Sequence, residues 1–333
     1  MTAKIKAISY YLPDAVLENS QINKQFPEWS ADKISQKTGI YRRHISAENE
    51  FSSDMALSAA EKLFEEHTIS PSEIDFILLC TQSPDYFLPT TACILQDKLG
   101  IPTACGAIDF NLGCSGFVYG LGLAKGLILS KVARNVLLIT SETYSKFIHP
   151  RDKSNRTIFG DAAAATLISV DGGAEILEFE LGTDGRGAEN LIVRNGGIRN
   201  RLSENNEKED AYGNISNDDN LYMNGSEIFN FTAEAVPGLV NRTLIKHNLT
   251  IEDVDLFVFH QANKFMLNHL RKKVGIEEDK FFYFLENCGN TVSSTIPIAL
   301  YEAIQQGKAK GHVLLAGFGV GYSWGATIVR FDK

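Results

Sequence analysis

Cys114 is the residue with the strongest potential for covalent chemistry. It lies in the segment 109–117, between an apolar strand and a helix predicted over 118–130. A cysteine at the N-terminus of a buried helix has its thiolate stabilised by unpaired N–H groups and by the positive end of the helix dipole. The context therefore predicts a nucleophilic sulfur, whereas a cysteine on an apolar background alone is more often an inert core residue.

His260 and Asn290 are two further candidates for chemistry. His260 follows the apolar strand 256–259, and ligands and catalytic groups of open α/β sheets collect at the carboxyl ends of strands. Asn290 lies in a turn that leads into a helix. Each residue has an ordinary alternative: a hydrogen-bonded structural histidine and a turn asparagine.

A glycine-rich segment, 317–321, follows another apolar strand. It lacks the G-x-G-x-x-G spacing of a nucleotide-binding loop, and a short strand rather than a helix follows it. We interpret it as a place where the backbone passes very close to another group.

The elements that position these residues are apolar strands that alternate with helix-like segments. Uninterrupted apolar strands separated by helices indicate an α/β protein with sheets covered on both faces. The predicted strands are 76–80, 107–110, 136–140, 164–170, 256–259, 313–316 and 326–331.

The sequence contains an internal repeat. Residues 68–83 align without gaps on 248–263, and two further short matches follow in the same order at a nearly constant offset. The repeat predicts two similar halves, 1–172 with the cysteine and 173–333 with His260 and Asn290. The polar stretch 195–220 interrupts the pattern and is predicted to be an exposed loop, with a substrate lid or a partner contact as alternatives.

Composition excludes several classes of protein. The chain has 333 residues, a net charge of −9 and a pI of about 5.4, which argues against a protein whose main partner is a nucleic-acid backbone. Five cysteines without paired spacing, and no histidines at ligand spacing beside them, favour free thiols over disulfides or a metal site. The N-terminus lacks a signal-peptide core and no run is apolar enough to cross a membrane, so we expect a cytoplasmic protein.

Taken in order along the chain, the motifs resemble those of the β-ketoacyl-acyl-carrier-protein synthase III family, condensing enzymes of the thiolase superfamily. The resemblance implies a duplicated thiolase fold, a five-layered αβαβα sandwich, and pairing of two chains as a homodimer. The motifs that carry it, besides the Cys114 turn, are Thr38-Gly39-Ile40, Arg42-Arg43-His44, Phe159-Gly160-Asp161, Met223-Asn224-Gly225, His260-Gln261-Ala262-Asn263, Gly289-Asn290-Thr291, Gly321 and Ser323-Trp324-Gly325.

The resemblance also implies roles for the candidate residues. Cys114 is the nucleophile that receives the acyl group, and His260 and Asn290 complete a catalytic triad that supports loss of carbon dioxide from a malonyl thioester. Backbone N–H groups of Cys114 and Gly321 form the oxyanion hole. The substrates are thioesters of coenzyme A or of an acyl-carrier protein, with no permanently bound cofactor and no metal.

Departures from the family pattern concern the binding of coenzyme A. Lys33, Lys37 and Lys153 replace a tryptophan and two arginines that contact the nucleotide, so positive charge persists while aromatic stacking is lost unless Trp29 substitutes. The donor could therefore be an acyl-carrier protein. The resemblance also assigns Asn263 to substrate binding.

Two further departures concern partners. Phe265 replaces an arginine that meets the carrier protein, and Leu88 replaces an aromatic gate that reaches into the partner's acyl tunnel. We interpret a group of basic residues as a dock for an acidic carrier, with a solvated helix face as the alternative. The residues of this candidate dock are Lys264, Arg271, Lys272 and Lys273.

Three other functions compete with condensation. An acyltransferase of the same fold would pass the acyl group to a different carbon, oxygen or nitrogen acceptor. A papain-like protease has the same chain order of Cys, His and Asn, but places its cysteine in a C-G-x-C-W context near the N-terminus, which this chain lacks. A noncatalytic scaffold would leave Cys114 merely packed.

Overall fold

The computed structural model describes residues 2–201, 206–210 and 213–332. The strands are β1 Lys4–Tyr11, β2 Val16–Glu18, β3 Arg42–His44, β4 Phe76–Cys80, β5 Gly106–Phe110, β6 Asn135–Glu142, β7 Ala162–Ser169, β8 Ala174–Thr183, β9 Leu191–Val193, β10 Lys208–Glu209, β11 Ile215–Ser216, β12 Leu221–Met223, β13 Leu256–Phe259, β14 His312–Gly319 and β15 Ser323–Arg330. The α-helices are α1 Asn19–Gln25, α2 Ala31–Thr38, α3 Ser52–His67, α4 Thr91–Lys98, α5 Gly116–Leu129, α6 Lys153–Arg156, α7 Gly225–Lys246, α8 Lys264–Val274 and α9 Thr295–Gln305. Short 3₁₀ helices span Pro71–Glu73, Tyr144–Phe147, Gly185–Asn190 and Val292–Ser294.

The main sheet repeats one topology twice. Its strand order is β13-β14-β15-β8-β1-β7-β6-β4-β5, and β1 pairs with β8 through only two residue pairs. In the order β4-β6-β7-β1, the first pair is parallel and the next two are antiparallel, and β13-β14-β15-β8 follows the same rule. The sequence repeat matches β4 with β13 and β6 with β14, and these strands occupy equivalent places in the two half-sheets. The division at residue 172 remains a prediction.

Five layers account for the burial pattern. On one outer face, α3 and α4 cover the first half-sheet, with Met55, Leu63 and Leu95 in one cluster with Ile77. Between the half-sheets lies a layer made of α5 and α9, in a cluster that includes strand residues of both halves. On the other outer face, α7 and α8 cover the second half-sheet. The predicted αβαβα sandwich is confirmed, and it leaves both faces of the central strands apolar.

The strands missed in the sequence are those with mixed burial. β1 and β8 carry polar residues among apolar ones, and in β8 exposed and half-buried positions outnumber buried ones. A short alternating run has a weaker signal than an uninterrupted apolar run. The predicted helix over 118–130 is present as α5, two residues earlier at its start.

The stretch 195–220 is exposed over much of its length, but its described part is anchored. β10 and β11 form a hairpin that lies near α6 and the segment before it. The Asn214 side-chain oxygen accepts hydrogen bonds from the backbone N–H and the hydroxyl of Ser154, each at 3.1 Å, and Glu207 pairs with Arg151 and His149. Residues 202–205 and 211–212 of this stretch lie outside the described residues. Among the described residues, no helix combines the length and apolar character needed to span a bilayer.

Candidate active site

Cys114 is held where the loop after β5 enters the central helix α5. Ser115 precedes the first residue of that helix, and Cys114 is buried. A Cβ atom at Gly319 would lie 2.8 Å from Cys114 Cβ and 2.9 Å from its Sγ, and one at Gly317 would lie 2.7 Å from the Cys114 carbonyl oxygen. The end of β14 therefore lies directly against Cys114, which confirms the close approach predicted from the glycine-rich segment.

The ionisation of Cys114 differs from the sequence expectation of a stabilised thiolate. Burial raises the pKa of the Cys114 thiol to about 12, and the nearby Glu142 carboxyl acts in the same direction. Desolvation of the charged sulfur is the largest cause of this shift. Cys114 is therefore a neutral thiol at neutral pH.

His260 follows β13 and is buried in the same region. Its backbone N–H donates to the Ala316 carbonyl at 2.8 Å, and its ring lies edge-on to Phe318 with the centroids 5.7 Å apart. The His260 Nδ1 atom lies 2.7 Å from the Thr295 hydroxyl. Desolvation lowers the pKa of His260 to about 3, so its imidazole is neutral at physiological pH.

Asn290 is fixed from both sides of its backbone. Its N–H donates to the Ile158 carbonyl at 2.9 Å, and its carbonyl accepts from Gly160 N–H at 3.0 Å. Its side-chain oxygen accepts from the backbone N–H of Val292 at 2.9 Å. Because this bond occupies the oxygen end of the amide, the nitrogen end is the one that can donate to a substrate.

A buried arginine supports the Asn290 turn. Arg43 is fully buried and donates to Asn19 Oδ1 at 2.8 Å and to the Thr157 carbonyl at 2.9 Å. Its Cβ lies only 3.0 Å from the place of a Cβ on Gly289, whose φ of +73° favours glycine. Arg43 thus ties the segment that pairs with Asn290 to the turn that carries it.

The three candidate residues share neighbours from both halves of the fold. Gly319 of β14 touches Cys114, while Phe318 of the same strand contacts the ring of His260. The start of α5 also approaches the Val292–Ser294 turn, which follows Asn290, because a Cβ at Gly116 would lie 3.7 Å from the Cβ of Ser293. The structure therefore brings all three predicted residues to one buried region at the carboxyl ends of β13 and β14.

Glu142 is a residue of this region that the sequence analysis did not single out. It is fully buried at the end of β6 and accepts hydrogen bonds from Gln82 N–H at 3.0 Å and from the Ser293 hydroxyl at 2.9 Å. Burial raises the pKa of Glu142 to about 8, so it is mostly protonated at neutral pH. A carboxyl residue at the end of an apolar strand was the signal that could have revealed it.

A cavity of about 830 Å³ opens beside the Cys114 loop. Val320 lines it and also lies 2.8 Å from the place of a Cβ on Gly113, the residue before Cys114. Its exposed lining is mostly apolar, with polar side chains from several segments of the chain. Residues in its wall include Phe51, Gln82, Tyr86, Phe87, Tyr144, Phe147, Leu191, Val193 and Leu221.

The lysines predicted to bind substrate have different surroundings. Lys33 and Lys37 are exposed on α2, and the Lys37 ammonium lies 5.7 Å from the centre of the Trp29 ring. Lys153 is buried, and its ammonium donates to Glu28 at 2.8 Å, which holds the pKa of that carboxyl below its usual value. A ligand can therefore contact the Lys153 ammonium only beside the Glu28 carboxylate or after displacing it.

Asn263 and the predicted basic dock lie at helix α8. The Asn263 side chain caps this helix by accepting from Met266 N–H at 2.9 Å. Arg271 is turned back onto its own segment, with bonds to the Ile276 carbonyl at 3.1 Å and to Glu278 at 3.4 Å. The exposed lysines of the predicted dock are Lys264, Lys272 and Lys273.

The two departures that concern partners are exposed residues. Leu88 is 81% exposed and Phe265 is 64% exposed, the latter beside Phe229 with ring centroids 5.7 Å apart.

Gly321 has a φ of +137°, a backbone conformation that residues with a side chain rarely adopt. Within the described residues, no group of three or more His, Cys, Asp or Glu side chains is arranged to hold a metal ion.

The duplicated fold and the buried Cys, His and Asn define a condensing enzyme of the thiolase fold. Models of the 3-oxoacyl-[acyl-carrier-protein] synthase III family and of its C-terminal part match residues 108–185 and 244–331. A β-ketoacyl-[acyl-carrier-protein] synthase III of Clostridium perfringens is 37% identical, with 98% of this chain and 99% of that protein covered.

Solved structures agree with this assignment. A crystal structure of a 3-oxoacyl-(acyl-carrier-protein) synthase III superimposes with a TM-score of 0.97 at 50% identity, with 99% of this chain and 100% of that chain covered. A 3-oxoacyl-(acyl-carrier protein) synthase from Burkholderia xenovorans LB400 gives a TM-score of 0.91 at 35% identity, over 100% and 95% of the two chains. The chain belongs to the 3-oxoacyl-[acyl-carrier-protein] synthase III family and is a transferase of the ketoacyl synthase type.

Gly319→Ala is predicted to disable Cys114. The added methyl would meet Cys114 Cβ and Sγ at under 3 Å, and a displacement of about 1 Å at a reacting group costs about 100-fold in rate. Mass spectrometry of the acylated protein, after incubation with acyl thioesters, measures the rate.

The control is Gly126→Ala in α5, where an added Cβ meets nothing within 4 Å. It should leave acylation unchanged and stabilise the helix by up to about 1 kcal/mol. Equal acylation rates of the Gly319→Ala variant and the wild type would contradict the prediction.

The reactivity of Cys114 is predicted to rise steadily with pH. Because the thiol pKa is about 12, the thiolate fraction should increase by up to about tenfold per pH unit between pH 7 and pH 9, and less steeply near pH 8, where Glu142 ionises and opposes thiolate formation. Alkylation of the Cys114 peptide by iodoacetamide, followed by mass spectrometry, measures this. A plateau of the alkylation rate near neutral pH would show a lowered pKa instead.

Proposed function

We propose that the protein condenses an acyl thioester with a malonyl-acyl-carrier protein and releases a β-ketoacyl thioester and carbon dioxide. The observation that carries the proposal is the convergence of Cys114, His260 and Asn290 at one buried site in a chain of this family. In this proposal Cys114 is the nucleophile, and His260 and Asn290 are hydrogen-bond donors.

The first step transfers the acyl group to Cys114. The sulfur attacks the thioester carbonyl, a carbon–sulfur bond forms to Cys114, and the bond to the donor sulfur breaks. The Cys114 proton ends on the departing thiol, so no net charge remains in the buried site. Backbone N–H groups of Cys114 and Gly321 would stabilise the negative oxygen of the tetrahedral intermediate, which requires no side chain at position 321.

The second step removes carbon dioxide from the malonyl group. The electron pair of the broken carbon–carbon bond moves into an enolate, whose oxygen requires donors. Neutral His260 and the amide nitrogen of Asn290 supply N–H groups there. The enolate carbon then attacks the acyl group, the bond to Cys114 sulfur breaks, and the sulfur takes up one proton from solvent, which is the proton that the condensation consumes.

The donor of the acyl group is either coenzyme A or an acyl-carrier protein. The Glu28 carboxylate beside Lys153 opposes the approach of a phosphate to that lysine, whereas Lys33 and Lys37 remain exposed. Exposed Lys264, together with the lysines at the end of α8, would attract an acidic carrier. We place Asn263 at the entrance of this binding region, because it directly precedes Lys264 at the start of α8.

We also propose that two copies of the chain pair as a homodimer. Tyr86, Phe87 and Leu88 are 62%, 77% and 81% exposed, and the edge strand β5 exposes Ile108. Exposed aromatic and aliphatic side chains, together with an unpaired strand edge, are typical of an interface.

The five cysteines are unpaired, which supports a reducing, cytoplasmic compartment.

Phe87→Glu is predicted to weaken the dimer, because it places a charge within the apolar surface. Sedimentation velocity at micromolar concentration should show a dimer for the wild type and a larger monomer fraction for the variant. Ile245→Glu, which changes a residue that is 64% exposed on α7, should leave the mass unchanged. A monomeric wild type at every concentration would contradict the proposal.

Separate measurement of the two half-reactions tests the triad. Cys114→Ala should give no acyl adduct with thioesters of either carrier. Asn290→Ala should acylate at close to the wild-type rate, while release of ¹⁴CO₂ from labelled malonyl thioester falls about 100- to 1,000-fold, the effect of removing one oxyanion donor.

Asn287→Ala is the matched control, because Asn287 lies three residues away and its side chain accepts from Arg42. It should retain both half-reactions. Loss of acylation in Asn290→Ala would contradict the assigned roles, and acylation without any decarboxylation by the wild type would favour an acyltransferase with another acceptor.

A further inference from the structure

We propose that Thr295 is a positioning residue for His260: its hydroxyl donates to Nδ1 of the ring and so places the ring proton on Nε2. This inference rests on the proposed function, in which His260 acts as a hydrogen-bond donor to the enolate oxygen. It assigns a task to the first residue of α9, which lies five residues after Asn290.

The contact between Thr295 and His260 is short and buried. Thr295 Oγ1 lies 2.7 Å from His260 Nδ1, and the two residues are 3% and 2% exposed. Burial keeps the imidazole neutral, because it lowers the pKa of His260 to about 3. In a neutral imidazole only one nitrogen carries a proton, so the partner of Nδ1 decides what Nε2 can do.

The Thr295 hydroxyl has one proton and two acceptors within reach. The alternative acceptor is the Val292 carbonyl, 3.0 Å from Oγ1. That carbonyl already accepts the backbone N–H of Thr295, which ends the Val292–Ser294 turn. The carbonyl keeps the backbone N–H as a donor, and the shorter of the two side-chain contacts, 2.7 Å to His260 against 3.0 Å to the carbonyl, assigns the hydroxyl proton to the ring nitrogen.

The backbone at Val292 supports the same interpretation. Val292 has a φ of +55°, which is strained for a β-branched residue. In this conformation its N–H reaches Asn290 Oδ1 while its carbonyl faces Thr295. One strained residue therefore orients both candidate donors, through Asn290 directly and through Thr295 for His260.

The opposite tautomer would have a different consequence. With the proton on Nδ1, the ring would donate to Thr295 Oγ1, and the hydroxyl would donate onward to the Val292 carbonyl. Nε2 would then be a bare acceptor that cannot stabilise an enolate oxygen. The Thr295 hydroxyl therefore decides whether Nε2 of His260 is a hydrogen-bond donor or an acceptor.

The test replaces the hydroxyl by a methyl of similar shape and then restores it. In Thr295→Val, acylation of Cys114 should stay within about twofold of wild type, while decarboxylation of malonyl thioester should fall at least about tenfold. Thr295→Ser should recover most of the loss, because it returns the hydroxyl. Thermal unfolding of each variant reports whether the protein is folded, and Thr295→Ala replaces the valine variant if that one is not.

A spectroscopic measurement decides the tautomer without relying on activity. Long-range ¹H–¹⁵N correlation spectra of protein with ¹⁵N-labelled histidine should show His260 protonated at Nε2 in the wild type and in Thr295→Ser. In Thr295→Val the signal should shift toward the Nδ1-protonated form. The His260 signals are assigned by their loss in His260→Asn.

Two results would overturn the inference. One is a wild-type ring protonated at Nδ1, and the other is an equal fall of both half-reactions that serine does not rescue, which indicates a packing defect. If the wild type neither acylates nor decarboxylates, the proposed function fails, while the tautomer measurement still decides the role of Thr295.

Discussion

The close approach of β14 to Cys114 is the constraint on which the site depends. Gly317 and Gly319 leave room for the cysteine only because they carry no side chain, and the same strand places Phe318 against His260. β14 belongs to the second half-sheet, whereas Cys114 lies at the start of the central helix of the first. The two halves must therefore pack in one fixed relative position for the site to exist. The central layer of α5 and α9 fixes that position through a shared apolar cluster.

Burial is the second determinant, and it suppresses charge throughout the site. Cys114 is a neutral thiol, His260 is a neutral imidazole and Glu142 is mostly protonated at neutral pH, in each case chiefly because of desolvation. A site without fixed charges has to work by hydrogen-bond donation. This explains why the orientation of the Asn290 amide and the position of the proton on His260 matter, and why a single strained residue, Val292, contacts both Asn290 and Thr295.

The contacts around the site limit its positive charges. Lys153 is buried against Glu28, Arg271 is turned back onto its own segment, and the described part of 195–220 forms a hairpin against the α6 region. The contacts of Lys153 and Arg271 limit how these two positive charges can bind a ligand. Charge counted along the sequence therefore overstates the cationic surface that is available to a carrier or a nucleotide.

The sequence alone indicated the α/β class, the internal repeat, the family and the three candidate residues Cys114, His260 and Asn290, because apolar periodicity, glycine placement and ordered motifs are local properties. It also predicted the close approach at 317–321. It could not determine the ionisation of Cys114, the buried contact of Glu142 with Ser293, the contact of Thr295 with His260 or the pairing of Lys153 with Glu28. Those depend on which distant residues meet and on how much water is excluded where they meet, and only the tertiary structure decides both.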